Sequence, residues 1–269
     1  MPRYAAIIEY HGYAYAGWQW QGHTIGVQQV VEEALAKVAA SVVDTYCAGR
    51  TDAGVHASHQ VVHFEVDCER PDRAWLMGGN AHLPADISVR WAGRVADDFN
   101  ARFSALGRRY RYLIHNRPGR SALMPNGVTP IRQPLNAQRM QDAAQHFLGE
   151  QDFTSVRAAE CSSKTAWRNI HALQVIRFGD YIVVDIAANA FLHHMVRNIV
   201  GALLAVGQGH REPDWVAELL RARNRRLAPG TAPAAGLYLV GVHYPARFQI
   251  PTLSPGPLWL DAALASVGR

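Results

Sequence analysis

A chain of 269 residues, 49 % hydrophobic and 18 % charged, has the balance of a soluble globular protein with one large domain or two small ones. Its longest apolar run, residues 199–206, is too short to span a bilayer; three irregularly spaced cysteines (Cys47, Cys68, Cys161) give neither a disulfide framework nor a paired metal-ligand motif. The net charge of +5 favours an anionic partner, and all but two of the 27 basic residues are arginine, which suits phosphate and base recognition but equally a GC-rich genome.

Nothing at Met1-Pro2-Arg3-Tyr4 resembles a signal peptide, and a reducing cytoplasm is expected. Residues 4–10 predict a first strand. The loop after it, 11–21, is dense in aromatics and glycine, and some of its rings are expected to pack in the core. Val27, Val30, Val31, Ala34, Leu35 and Val38 recur at helical spacing, so a core-facing helix covers roughly 26–40. Gly49-Arg50-Thr51-Asp52-Ala53-Gly54-Val55-His56-Ala57 then packs a carboxylate, a guanidinium and two glycines into one turn. It runs into 60–66, whose alternation puts Val62, Phe64 and Val66 on one face of a half-buried strand. Small neighbours leave room for a bulky substrate at Asp52, although Asp beside Gly is also ordinary turn chemistry.

A helix over 75–83 and a turn at Pro84-Ala85-Asp86 lead into a strand at 87–91. In the strand 108–115, Tyr110, Tyr112 and Ile114 share one face and Arg109, Arg111 and Leu113 the other. Such a strand offers an aromatic with cations nearby, or simply arginines standing in solvent. A Pro- and Gly-rich stretch, 116–134, is expected to connect two halves. Beyond it, a helix capped by Asn136 turns Met140, Ala143, Ala144, Phe147 and Leu148 inward, and 170–178 pairs with 181–187 through Gly179-Asp180 as a hairpin.

Asn189-Ala190-Phe191-Leu192-His193-His194-Met195-Val196-Arg197-Asn198 is expected to open a helix with a buried stripe at Leu192, Met195, Val196, Ile199, Val200, Leu203 and Leu204. His193 and Arg197, four apart, flank that stripe on one side, and His194 and Asn198 on the other. No third ligand stands at helical spacing, so no metal is expected. A short helix at 215–220, a closing strand at 237–242 and an irregular tail complete the chain, which lacks GxGxxG, P-loop and HExxH motifs. The expected fold is α+β: two similar halves, 1–107 and 108–245, with mostly antiparallel mixed sheets flanked by helices and an active-site cleft between them, then a tail at 246–269.

Four ordered motifs carry a resemblance. They are Gly49-Arg50-Thr51-Asp52-Ala53-Gly54-Val55-His56, Arg108-Arg109-Tyr110-Arg111-Tyr112, the 189–198 run, and Gly236-Leu237-Tyr238-Leu239. From about residue 4 to 244 the chain resembles the tRNA pseudouridine synthase A family. It departs at His11, where the family often has Asp, and at Ala57-Ser58, commonly a Gly-containing pair. The resemblance implies a pseudouridine synthase fold, and isomerisation of uridine to pseudouridine at positions 38, 39 and 40 of the tRNA anticodon stem-loop. It implies no cofactor, no metal, and a homodimer with one tRNA across both subunits.

By the same resemblance Asp52 is the essential carboxylate, attacking C1′ or removing a ribose proton. Arg197 would be its ion-pair partner, Tyr110 would stack on the uracil and assist proton removal from C5, and Leu237 would line the pocket. Arg50 would fill the space left by the flipped nucleotide, with further RNA contacts from Arg70, Arg102, Phe103 and Lys164. The alternatives are a tRNA-binding protein without catalysis, which the intact Asp52, Tyr110 and Arg197 set disfavours, and a nucleoside or glycoside hydrolase pairing Asp52 with another carboxylate such as Glu65. A glycosidase needs two carboxylates across the scissile bond, and Glu65 lies far along a strand.

Overall fold

The structure is a computed structural model and describes residues 1–257. The described chain divides into two compact units, Met1–Leu106 together with residues 238–257, and Gly107–Leu237. Each has the α+β character expected.

The first unit opens with β1 (Arg3–Tyr10), α1 (Val27–Ala39), β2 (Tyr46–Cys47), β3 (His56–Glu65), α2 (Asp72–His82) and β4 (Ile87–Arg94). β1 lies between antiparallel partners: Tyr4 faces Phe64 of β3 and Arg94 of β4, and Tyr10 faces Ala57 and Ile87. α1 packs on α2, and α2 on β4. Gly78 lets the two helices approach, since a Cβ there would meet Val38 at 2.9 Å. Trp75 of α2 docks on the sheet between Tyr4 and Phe64, with ring centroids 5.1 and 5.0 Å away.

The opposite face is also covered. Phe99 sits edge-on to His63 and packs with Tyr244 and Phe248. β3 is therefore buried on both faces, from His56 to Phe64, rather than half-buried, and it begins four residues earlier than its apolar alternation suggests. Its polar residues hide this, because three of them bond to backbone groups elsewhere in the chain. Gln60 Nε2 donates to the Gly49 carbonyl at 2.6 Å, Ser58 Oγ accepts from the Gly256 N–H, and His63 Nδ1 accepts from the Ala101 N–H.

The second unit holds β5 (Gly107–Asn116), β6 (Thr129–Ile131), α3 (Ala137–Gln145), β7 (Gly149–Asp152), β8 (Trp167–Phe178), β9 (Tyr181–Ala188), α4 (Met195–Gly207) and α5 (Trp215–Ala222). β5, β9, β8 and β7 pair antiparallel in that order, and β6 runs parallel to β5. The hairpin turns at Gly179, whose φ of +54° favours glycine. Asn136 caps α3, accepting from the Arg139 N–H at 3.0 Å. α3 packs on β8 and α4, and α4 is buried almost all round.

Two expectations about this unit need correction. Residues 116–134 do not connect two halves; they lie within the second unit and contribute β6, which pairs beside β5. The 189–198 run does not open as a helix: His194 is left-handed at φ +59°, so α4 starts at Met195 and the helical four-residue spacing from His193 to Arg197 does not exist.

β10 (Leu237–His243) closes the fold, its Tyr238 and Leu239 pairing parallel with His56 and Ala57. Residues 238–257 group with the first unit, whereas the sequence reading places the closing strand with the second half. Beyond β10 come a single 3₁₀ turn, Ala246–Phe248, and irregular chain to 257; the rest of the tail lies outside the described residues.

Candidate active site

Asp52 sits in the loop between β2 and β3, half-buried, with Arg50 and Ala53 exposed on either side. The loop is held by the segment after β1. Buried Tyr10 shares a hydroxyl hydrogen bond with Thr51 Oγ1 at 2.8 Å, and the Trp18 N–H donates to the Thr51 carbonyl at 3.0 Å. The Gly54 N–H donates to the Tyr15 carbonyl, and the Val55 N–H turns back to the Asp52 carbonyl at 3.1 Å. Gly54, at φ +76°, permits that turn.

Approach is close enough to exclude side chains. A Cβ on Gly12 would meet the Val55 carbonyl oxygen at 1.9 Å, and one on Gly17 the Thr51 carbonyl oxygen at 2.5 Å. The Gly12 N–H also donates to His56 Nδ1, and the His56 ring lies between His11 and Tyr238 at 4.4 and 4.6 Å. Within the 11–21 loop the ring that packs inward is Trp18, against Tyr10, while Tyr13 and Trp20 stay exposed.

Arg102 and Phe103 occupy a turn organised by Asn100, whose Oδ1 accepts from both backbone N–H groups at 3.0 Å. The Arg102 guanidinium lies 5.3 Å from the centre of the exposed Phe103 ring. Burial raises the Cys47 thiol to about 11, and Arg50 and Arg102 both oppose that rise, so the two guanidinium groups stand near one thiol. Arg70 is elsewhere. Its Nε donates to the Val38 carbonyl, and its own carbonyl accepts from Tyr4 at the far end of β1. Tyr4 and Tyr10 are about 20 Å apart along a strand, so Arg70 is remote from the Asp52 loop.

In the second unit Tyr110 is half-buried on β5 with Phe191 edge-on at 5.1 Å and 87°. Tyr112, two residues along the same face, is buried and hydrogen-bonded to Thr129 Oγ1 at 2.7 Å and the Pro233 carbonyl at 2.8 Å. Burial raises its hydroxyl's pKa, and the Arg197 charge works against that rise, which places Arg197 near the same face. Arg197 Nε donates to the Ala232 carbonyl at 2.8 Å. Leu237 is buried just beyond Gly236, where a Cβ would strike the Leu113 carbonyl and Tyr112. Lys164 stands exposed in the loop before β8.

The opposite face of β5 is not arginine in solvent. Arg109 grips Asp185 of β9 through Nε and Nη2 at 2.6 and 2.7 Å, and buried Arg111 donates to the same carboxylate at 2.9 Å. Sequence reasoning did not find Asp185 or Phe191 as partners of this strand. The only signal for Asp185 was a lone acid inside an apolar strand.

The fold and its loops thus define an α+β protein with a braced, half-buried carboxylate in one unit and an aromatic face beside an arginine in the other. A family model described as tRNA pseudouridine synthase matches residues 6–104 and 143–245, and the chain belongs to that family. The matched stretches include Arg50, Asp52, Arg70, Arg102, Phe103, Lys164, Arg197 and Leu237; Tyr110 falls between them.

Curated relatives named tRNA pseudouridine synthase A are similar along nearly the whole length. The Haemophilus ducreyi protein is 57 % identical over 253 residues, covering 94 % of this chain and 97 % of its own. That of Actinobacillus succinogenes is 57 % identical over 257 residues, covering 96 % and 97 %, and that of Klebsiella pneumoniae 56 % over 253, covering 94 % of each. Among the described residues no helix is long and apolar enough to cross a membrane.

Proposed function

We propose that this protein is an isomerase that converts uridine to pseudouridine in tRNA, acting at positions 38, 39 and 40 of the anticodon stem-loop. The C1′–N1 bond breaks, the uracil turns in place, and a C5–C1′ bond forms; C5 loses its proton to solvent and N1 takes one up. No electrons enter or leave, so the chemistry asks for a carboxylate, a hold on the detached base and a proton acceptor. The observation that carries the reading is the Asp52 loop: a half-buried carboxylate whose neighbours Thr51 and Gly54 are tied to Tyr10, Trp18 and Tyr15. Such bracing favours one geometry for a reacting group.

Tyr110, steadied edge-on by Phe191, is suited to stack on the uracil while its glycosidic bond is open, with Arg197 and Leu237 as further substrate-binding residues. Extracting a uridine from a stem costs on the order of a few kcal/mol. Exposed Arg50 beside Asp52 is proposed to occupy the vacated space, with Arg102, Phe103, Arg70 and Lys164 as outlying RNA contacts. The working form is proposed to be a cytoplasmic homodimer, which light scattering of the purified chain tests directly.

Tritium release from anticodon-arm tRNA labelled at uracil C5 tests the assignment. Wild type should release the label, and Asp52→Asn should not, while tRNA affinity stays within about tenfold, or 1.4 kcal/mol. Equal release by both proteins would remove Asp52 from the chemistry. Binding without release by wild type would make this a tRNA-binding protein only.

A further inference from the structure

We infer that Tyr46 is a stacking platform for an unpaired nucleobase of the bound RNA, a subsite apart from the flipped uridine's own. The inference rests on the tRNA reading above and adds a contact to it.

β2 is only two residues long, yet it sets a large ring in solvent: Tyr46 is 61 % exposed. The ring is not loose. Its inner face stacks on His63 of β3, with centroids 5.1 Å apart and planes within 26°. His63 in turn is fixed on both nitrogens' sides, accepting from the Ala101 N–H at 3.2 Å and hydrogen-bonding to the Tyr46 backbone. One buried imidazole therefore ties β2 to the turn that carries Arg102 and Phe103. Burial, with Arg3 nearby, lowers its pKa, which keeps the support beneath Tyr46 uncharged near neutrality.

The surroundings select the ligand. Arg50 and Arg102 both act on the thiol of Cys47, the residue next to Tyr46, so two cations border this strand. Phe103, 79 % exposed, supplies a second ring under the Arg102 guanidinium. Two outward aromatics among guanidinium groups match a single-stranded segment, whose bases offer π-faces and whose phosphates offer charge. A protein partner seeking an apolar patch would meet arginines at its edge. Tyr46 being planted on a rigid strand lowers the ordering cost of each stacked base.

The experiment uses the full chain as wild type, Tyr46→Ala and Tyr46→Phe, with tRNA transcripts carrying 2-aminopurine at single anticodon-loop positions. Wild type and Tyr46→Phe should quench the probe at one or two positions, and Tyr46→Ala should lose that quenching and bind tRNA at least fivefold more weakly. Light scattering accompanies each variant. Unchanged quenching and affinity in Tyr46→Ala would overturn the inference. So would a change of oligomeric state with the quenching intact, because the ring would then be a contact between copies. Failure of wild type to bind tRNA at all would sink the proposed function and this subsite together, whereas binding with an indifferent Tyr46 sinks the subsite alone.

Discussion

The loop that carries Asp52 and the strand that carries Tyr110 are held by opposite chemistries. On the residues flanking Asp52 the braces are neutral: a tyrosine hydroxyl on Thr51, backbone N–H groups on Thr51 and Gly54, and glycines that let two backbones touch. Along β5 the brace is ionic, with Arg109 and Arg111 sharing the Asp185 carboxylate on the face turned away from Tyr110. The difference has a physical sense. Neutral bonds to its neighbours fix the backbone that carries the carboxylate without adding a formal charge of their own. A ring proposed to work by stacking would not be altered by ions on the far side of its strand, so a stronger, charged anchor is tolerated there.

Breaking the ionic brace should have the largest effect. Asp185→Ala removes the carboxylate that buried Arg111 donates to, and removing one member of a buried pair costs about 3–5 kcal/mol. Urea denaturation measures it; a loss under about 1 kcal/mol, the scale of an exposed pair, would show that β5 is held by its apolar packing instead.

Acid should act next, and on the first unit. His59 is buried, and burial, aided by Arg90 and His243, depresses its pKa to about 4. In the unfolded chain its pKa is about 6.5. Between those values the unfolded chain binds the proton and the native chain refuses it. The contribution is therefore complete above pH 6.5 and lost as pH falls toward 4, on the order of 3 kcal/mol in all. Unfolding midpoints at pH 7 and pH 5 should converge in His59→Gln; an undiminished gap would assign the acid sensitivity to other groups.

The smallest effect is expected at the neutral brace itself. Tyr10→Phe deletes one neutral brace and should cost only about 1 kcal/mol of stability. Because Thr51 precedes Asp52, kcat for tritium release should fall several-fold with KM within twofold. An unchanged kcat would mean that the backbone bonds from Trp18 and Tyr15 suffice to place the carboxylate.

What could be read in advance was local. The valines of α1, the Asn136 cap and the Gly179 turn are short-range signals, and the structure has them where periodicity and turn chemistry put them. The α4 stripe was also legible from Met195 onward, but its start was not. Nothing in Leu192-His193-His194 announces that one histidine will take a left-handed conformation and delay the helix. β3 misled in the same way. Its Ser58, Gln60 and His63 look solvent-facing in a sequence, and only their distant partners Gly256, Gly49 and Ala101 make burial affordable.

Which residues are available for chemistry is written along the chain: the turn around Asp52, the aromatic face of 110–114, the many arginines and the strand and helix periods that carry them. How each is held depends on contacts between elements. Those contacts choose Tyr10 and Trp18 to brace the Asp52 loop, Asp185 to gather two arginines, and the first unit to receive the strand after Leu237. The physical reason is range. Period, caps and turns act over a few residues, whereas partners 41 and 76 positions apart meet only when the sheets have formed.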